Sequence, residues 1–344
     1  MYKHLIRPIF FCLSPETIHG LTMALLKFVS YIPFSDKLIR LFFDYKDPKL
    51  EREVFGIKFK NPVGLAAGFD KNGDSYNIMS NFGFSFIEIG SLTPRAQGGN
   101  PKPRCFRLPE DKVIINRMGI NNNGVKYAVE YIKKHKPNCI IGGNLSKNSD
   151  VSNEDAPKDY EKSFAMLYDF VDYFVLNVSC PNVKNLDKLQ DISSLSEIID
   201  RLLTLRRYFD DYRPILLKVS PDIPVKQLDD IIDLVLVSGL DGMIATNTTR
   251  SREGLKSSKE DIEKIGEGGM SGAPLFERSV EFVKYISQKT NGQLPIIAVG
   301  GIMTPENAKQ MLDAGASLVQ IYTGFIYNGP GFIKQINKHL VKTL

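Results

Sequence analysis

Eight times after residue 60, a short apolar, β-branched run bounded by Gly, Pro or Asn gives way to a segment whose apolar residues recur at helical spacing. The strand-like runs are residues 62–67, 84–89, 139–143, 174–178, 215–219, 243–246, 296–299 and 318–322. Apolar spacing near 3.6 residues predicts helices over 74–82, 123–135, 156–171, 193–211, 225–238, 277–290, 305–314 and 331–342. Eight strands, each followed by a helix, predict an α/β fold closed into a (β/α)8 TIM barrel. A doubly wound open sheet would alternate in the same way. The count of eight favours the barrel, as does the lack of a Gly-x-Gly-x-x-Gly after the first strand.

Residues 1–45 stand apart from this pattern as an N-terminal helical extension, leaving 46–344 for the barrel. Ser14 followed by Pro15 signals a helix start, after which Ile18, Leu21, Leu25, Phe28 and Ile32 recur at helical spacing. Ser35 is placed to cap a second helix carrying Leu38, Ile39, Leu41, Phe42 and Phe43. Such a helical hairpin either packs on the barrel or forms an apolar collar that dips into a membrane surface. Lys3, Arg7, Lys27, Lys37 and Arg40 would help the second arrangement.

Composition narrows the classes. Of the 344 residues 43% are apolar and 24% charged, enough for a large core. The net charge of +5 is mild and scattered, without a nucleic-acid footprint. Cys12, Cys105, Cys139 and Cys180 are far apart, with no Cys-x-x-Cys, which argues against a disulfide framework or a zinc site and for a reducing cytoplasm. No small-residue cleavage site follows the apolar run 9–13, so a signal peptide is not expected. No stretch approaches the roughly 18 apolar residues of a membrane span.

Two connections are too long for plain turns. Residues 90–122 are expected to hold a hairpin, with 104–108 facing 113–116, and residues 247–274, rich in Gly, Ser and charge, read as a mobile flap.

Catalytic groups of a barrel come from the C-terminal ends of its strands. Here those ends are unusually polar, with four Asn (144, 177, 182, 247) and three Lys (71, 147, 218). Amides offer donors and acceptors to a flat ligand with ring N–H and C=O groups, and lysines suit a carboxylate or an electron-rich cofactor. A small planar acid is the expected substrate class. Gly300-Gly301 and Thr323-Gly324, at the ends of the seventh and eighth strands, point to a phosphorylated cofactor.

His4, His19, His135 and His339 lie in the N-terminal segment or in outer helices, so no Ser-His-Asp, Cys-His or metal cluster is available and no metal is expected. Cys180 directly follows a strand end, between Ser179 and Pro181 and flanked by Asn177 and Asn182. With lysines nearby, its thiolate could form near neutral pH and act as a base.

Six motifs, in order, resemble the dihydroorotate dehydrogenase family. They are Asn61-Pro62-Val63-Gly64-Leu65-Ala66-Ala67-Gly68-Phe69-Asp70-Lys71, Asn116-Arg117-Met118-Gly119-Ile120-Asn121-Asn122, Asn177-Val178-Ser179-Cys180-Pro181-Asn182, Ile244-Ala245-Thr246-Asn247-Thr248-Thr249, Gly268-Gly269-Met270-Ser271-Gly272 and Val319-Gln320-Ile321-Tyr322-Thr323-Gly324. The resemblance implies an FMN-dependent barrel in pyrimidine biosynthesis that oxidises (S)-dihydroorotate to orotate. It implies that Ala66, Ala67, Gly68, Ser91, Asn144, Asn177, Lys218, Thr246, Gly272, Gly301, Tyr322 and Thr323 line the flavin. Lys71, Asn116, Arg117, Met118, Gly119, Ile120, Asn177, Asn182, Asn247 and Thr248 would hold dihydroorotate, with Cys180 as the catalytic base.

The N-terminal extension, with His19 and Arg107, resembles the quinone-reducing class, in which such an extension forms the mouth of a quinone tunnel. This implies a peripheral protein on the cytoplasmic side of the cell membrane, and a monomer. Three positions depart from that class: Cys180 replaces the usual Ser, Val183 a Thr, and Ile120 a Phe. The base pocket thus resembles the soluble class, whose members pass electrons to fumarate or NAD, a reading that the extension opposes. A non-catalytic flavin-binding barrel on a membrane is the other alternative, and the full Asn and Lys set argues against it.

Overall fold

The computed structural model describes residues 2–179, 181–182 and 186–343. Eight parallel strands close into a barrel: Val63–Asp70, Phe86–Leu92, Ile140–Leu145, Tyr173–Asn177, Ile215–Val219, Gly242–Ala245, Ile296–Val299 and Leu318–Ile321. Each pairs with its neighbours in sequence, and the eighth returns to the first, with Val319 opposite Val63 and Ile321 opposite Leu65. The expected helices surround it, from Tyr76–Ser80 and Val125–Lys134 round to Phe332–Thr343, within a few residues of the boundaries read from periodicity.

The barrel interior has two levels. Its lower part is filled by Phe86 and Tyr173, both fully buried, with Phe59 packing edge-on against Phe86 at 5.2 Å. Glycine makes that filling possible: a Cβ on Gly64 would lie 2.3 Å from the Phe86 ring, and one on Gly142 2.4 Å from the Tyr173 hydroxyl. The antiparallel pair Arg52–Val54 and Ile57–Phe59 supplies Phe59 to this plug. The upper level is polar, with Glu88, Asn144, Lys218 and Gln320 buried inside the strands. A buried polar group costs free energy unless it is paired, so this level marks where the barrel departs from stability alone.

Both long connections fold onto the C-terminal rim. Cys105–Leu108 and Val113–Asn116 form the expected hairpin, with Phe106 opposite Ile115. The second connection holds a helix, Lys259–Ile265, and a strand, Gly269–Gly272, which adds to the hairpin with Met270 opposite Ile115. The flap expected there is therefore structured over both stretches. Its strand escaped the pattern because Gly269-Met270-Ser271-Gly272 has no β-branched residue.

The extension contains the two expected helices, Pro15–Ser30 and Ser35–Phe43, preceded by Tyr2–Ile6 and Arg7–Phe11. Ser14 caps the first by accepting from the Thr17 amide at 3.2 Å. Ser35 does not cap the second. Phe34 occupies the cap in a left-handed conformation (φ 65°) without a side-chain bond, and Ser35 is the first helical residue.

Met23, Leu26, Ile39 and Phe43 face the barrel core. Leu21, Leu25, Phe28 and Ile32, which recur at helical spacing in the sequence, are exposed. Twelve of the eighteen exposed large apolar side chains among the described residues belong to this extension. Three of its cations hold it to the barrel: Arg7 donates to the Tyr327 carbonyl at 3.1 Å, Arg40 to Asn81 at 2.6 Å, and Lys27 pairs with Asp74 at 3.6 Å. Among the described residues, no single helix is long and apolar enough to cross a membrane.

Candidate active site

The strand ends, the three-stranded sheet and the N-terminal helices enclose one continuous cavity of about 460 Å³, within the roughly 300–1,000 Å³ of small-molecule sites. Its inner end is the barrel rim. Its outer end runs between the helix Pro15–Ser30 and the barrel.

At the rim the asparagines meet. Asn177 Nδ2 donates to Ser91 Oγ at 2.8 Å, and Asn247 Nδ2 donates to Asn177 Oδ1 at 3.2 Å and to Ser179 Oγ at 3.0 Å. Asn182 Nδ2 donates to Asn116 Oδ1 at 3.0 Å, and the Gly269 amide donates to Asn182 Oδ1 at 3.3 Å. The third strand of the rim sheet, invisible in the sequence pattern, thus holds two of the expected substrate ligands. Lys71 Nζ reaches the Gly68 carbonyl at 2.5 Å, and the Tyr322 hydroxyl donates to that carbonyl at 3.4 Å.

Ala66, Ala67, Gly68, Ser91, Asn177, Lys218, Thr246, Gly272, Gly301, Tyr322 and Thr323 all line this cavity, as do Lys71, Asn116, Met118, Gly119, Ile120, Asn182, Asn247 and Thr248. Two expected residues do not. Asn144 is fully buried behind Ser91, whose hydroxyl it accepts, and it donates to Glu88 at 2.7 Å. Arg117 turns outward, donating to the carbonyls of Ile265 and Glu267 and lying over the Phe106 ring at 4.5 Å. Cys180 and Val183 lie outside the described residues; the segment around them contributes Asn177 and Asn182 to the cavity wall.

The outer end is mostly apolar, its polar lining coming from Glu16, His19, Thr22 and Arg107. His19 sits edge-on against Phe69 (5.1 Å, 84°). Burial, reinforced by the charge of Lys71, pulls its imidazole down to about 4, so it is neutral at physiological pH. Arg107 donates to the Phe10 carbonyl at 3.3 Å and to that of Leu13, and its guanidinium lies 4.3 Å over the Phe11 ring. Tyr2 and Phe11 also reach this wall, because the unforeseen helices Tyr2–Ile6 and Arg7–Phe11 fold back onto it.

Sequence reasoning missed the rim's supporting charge. Glu88 is fully buried, accepts from Asn144 and from Gln320 at 2.5 Å, and lies 3.8 Å from Lys218 Nζ. The signal was present as one carboxylate inside the apolar run Phe86-Ile87-Glu88-Ile89.

Comparison with known proteins agrees with this arrangement. Residues 49–344 match the family model described as dihydroorotate dehydrogenase. A dihydroorotate dehydrogenase (quinone) of Christiangramia forsetii is 51% identical over 342 residues, 99% of either chain. One from Acinetobacter baylyi is 44% identical, covering 97% of this chain and 98% of its own. A crystal structure of DHODH from Eimeria tenella in complex with ferulenol superposes with a TM-score of 0.86 at 36% identity, covering 96% of this chain and 91% of that one. The match spans the barrel and, in these relatives, nearly the whole chain, and the chain belongs to the dihydroorotate dehydrogenase family.

Proposed function

We propose that this protein oxidises (S)-dihydroorotate to orotate and passes the electrons to a quinone. The observation that carries the reading is the single cavity joining the amide-lined rim to the apolar passage under the N-terminal helices. A soluble-class enzyme with fumarate or NAD as acceptor would have no use for that passage.

The family uses FMN, and the donor set of the rim suits it. Lys218 Nζ, 3.8 Å from Glu88, is beyond hydrogen-bond reach of that carboxylate, and the buried Oε1 of Gln320 has no hydrogen-bond partner among the described residues. Both residues line the cavity. Ala66, Ala67, Gly68 and Gly301 bring backbone rather than bulky side chains to its wall. Bound there, FMN would supply a two-electron acceptor that takes hydride from carbon 6 of dihydroorotate and hands the electrons on.

The chain's own residues do the rest. Asn116, Asn177, Asn182 and Asn247 offer amide donors and acceptors to the ring N–H and C=O groups, and Lys71 offers charge to the carboxylate. Cys180 is the base that takes the proton from carbon 5. Lys218 places positive charge where reduction leaves negative charge. Beyond the rim, neutral His19 and the apolar passage exclude water from the route to the quinone. The exposed apolar surface of the extension supports peripheral attachment to a membrane, where the quinone is dissolved, and the protein is proposed to sit there as a monomer on the cytoplasmic face.

Anaerobic dihydroorotate should bleach the flavin absorbance of the purified protein, and a ubiquinone or menaquinone analogue should restore it. Reoxidation by fumarate but not by either quinone overturns the acceptor. A spectrum unchanged by dihydroorotate overturns the enzyme altogether, in favour of a flavin-binding module.

A further inference from the structure

The chemistry above leaves one fully buried carboxylate unused. Glu88 stands on the second barrel strand with both oxygens engaged: Oε1 accepts from Asn144 Nδ2 at 2.7 Å, and Oε2 from Gln320 Nε2 at 2.5 Å. From Asn144 a directed series of hydrogen bonds climbs to the rim. Asn144 Oδ1 accepts from the Ser91 hydroxyl, Ser91 Oγ accepts from Asn177 Nδ2 at 2.8 Å, and Asn177 Oδ1 accepts from Asn247 Nδ2 at 3.2 Å. The series ends where Asn247 Oδ1 accepts the Thr248 amide at 2.9 Å.

Hydroxyls rotate and carboxamides turn over, so a series built from them alone can run in either direction. A carboxylate accepts and does not donate. Placed at the foot, it fixes Asn144, while at the head the backbone amides of Ser179 and Thr248 fix Asn177 and Asn247 in the matching sense. The series thus presents the Asn144 amide nitrogen downward, its oxygen to Ser91, the Ser91 oxygen to Asn177, and so on to the residues that touch substrate. The same carboxylate is the one acidic partner of Lys218 among the described residues, its Oε1 lying 3.8 Å from Nζ. In a low-dielectric interior the loss of one partner leaves the other's charge uncompensated.

We propose that Glu88 is a positioning residue for the reaction. It sets which way Asn144 faces and, with it, where the Ser91 hydroxyl points, and it balances the charge that Lys218 brings to the flavin site. The inference rests on the FMN reading given above.

The test uses the intact enzyme as purified with its flavin, in wild-type, Glu88→Gln and Glu88→Asp forms. FMN content, flavin midpoint potential, KM and kcat, and the single-turnover rate of flavin reduction by dihydroorotate are measured. In Glu88→Gln the flavin stays bound and its potential rises, because a negative charge beside it is gone. Reduction nevertheless slows about tenfold or more, with a much smaller change in KM. Glu88→Asp brings the potential back towards wild type. A greater driving force with a slower reaction is a signature that loss of packing alone does not produce.

An unchanged potential or an unchanged reduction rate in Glu88→Gln overturns the proposal. Should Glu88→Gln fail to fold, Asn144→Leu cuts the series one step higher and leaves the Glu88 and Lys218 pair in place. It should slow reduction without moving the potential, and an undiminished rate there overturns the proposal equally. Wild-type protein that carries no flavin sinks the FMN reading itself, a result visible before any variant is compared.

Discussion

Arg104 grips Glu16 with one edge of its guanidinium: Nη2 donates to Oε1 at 2.8 Å, and Nε donates to both carboxylate oxygens at 3.2 and 3.3 Å. Its remaining nitrogen donates to the carbonyls of Gly98 and Asn100, and the Asn100 amide in turn donates to the Asn182 carbonyl at 3.1 Å. One buried cation therefore ties the helix over the apolar passage to the loop that carries a substrate ligand. Arg104→Leu should cost about 2 kcal/mol, the scale of hydrogen bonds to a charged group, seen as a lower unfolding temperature. Quinone turnover should fall further than flavin reduction. Equal loss in both half-reactions would mean that the grip serves the whole barrel.

Acid should loosen the passage through His19. Its folded value is about 4, against about 6.5 for an unfolded histidine. Between those values the unfolded chain binds more protons, so stability falls as pH is lowered from about 6.5 towards 4. His19→Gln removes that contribution, and its unfolding temperature should decline less steeply over this window. Parallel curves for the two proteins would show that His19 does not titrate as described.

Cys180 carries the proposed proton transfer. Cys180→Ala should lose most flavin reduction while retaining FMN, and Cys180→Ser should keep part of it with a shifted pH optimum. Reduction of Cys180→Ala at the wild-type rate would require a different base.

The outward face of the extension should bind lipid. Leu21, Leu25, Phe34 and Leu41 are each more than half exposed, and burying such a side chain is worth about 1.5–3 kcal/mol. The wild-type protein should float with vesicles containing anionic lipid, and a variant with all four changed to Ser should remain in the soluble fraction while its flavin is still reduced by dihydroorotate. Equal flotation of both would remove the apolar face from the explanation.

Much of this architecture was legible because a parallel barrel strand, buried on both faces, writes itself as an unbroken apolar run such as Ile215-Leu216-Leu217. The rim asparagines were legible for the complementary reason, being amides placed just where those runs stop. Gly269–Gly272 was not, since pairing with Val113–Asn116 is decided by a partner about 150 residues away rather than by its own composition. Nor was the turn at Phe34, where a bulky residue takes a left-handed conformation that its type disfavours. Arg117 occurs in a motif that lines the cavity and Asn144 at the polar end of a barrel strand, yet the first faces outward and the second stands behind the wall. Spacing along a strand does not reveal which neighbour a side chain will find.

The pairing of Val319 with Val63 brings together the first and last staves of the barrel, about 256 residues apart in the chain. During synthesis, which adds about 5–20 residues each second, the greasy N-terminal helices emerge long before the stave that completes the ring. For most of its time on the ribosome the nascent chain carries the apolar helices proposed to bind lipid and has no finished catalytic pocket beneath them. Lipid binding by those helices, as proposed above, would let delivery to the bilayer precede the birth of the enzyme, and contacts this remote in sequence slow the closure of the ring.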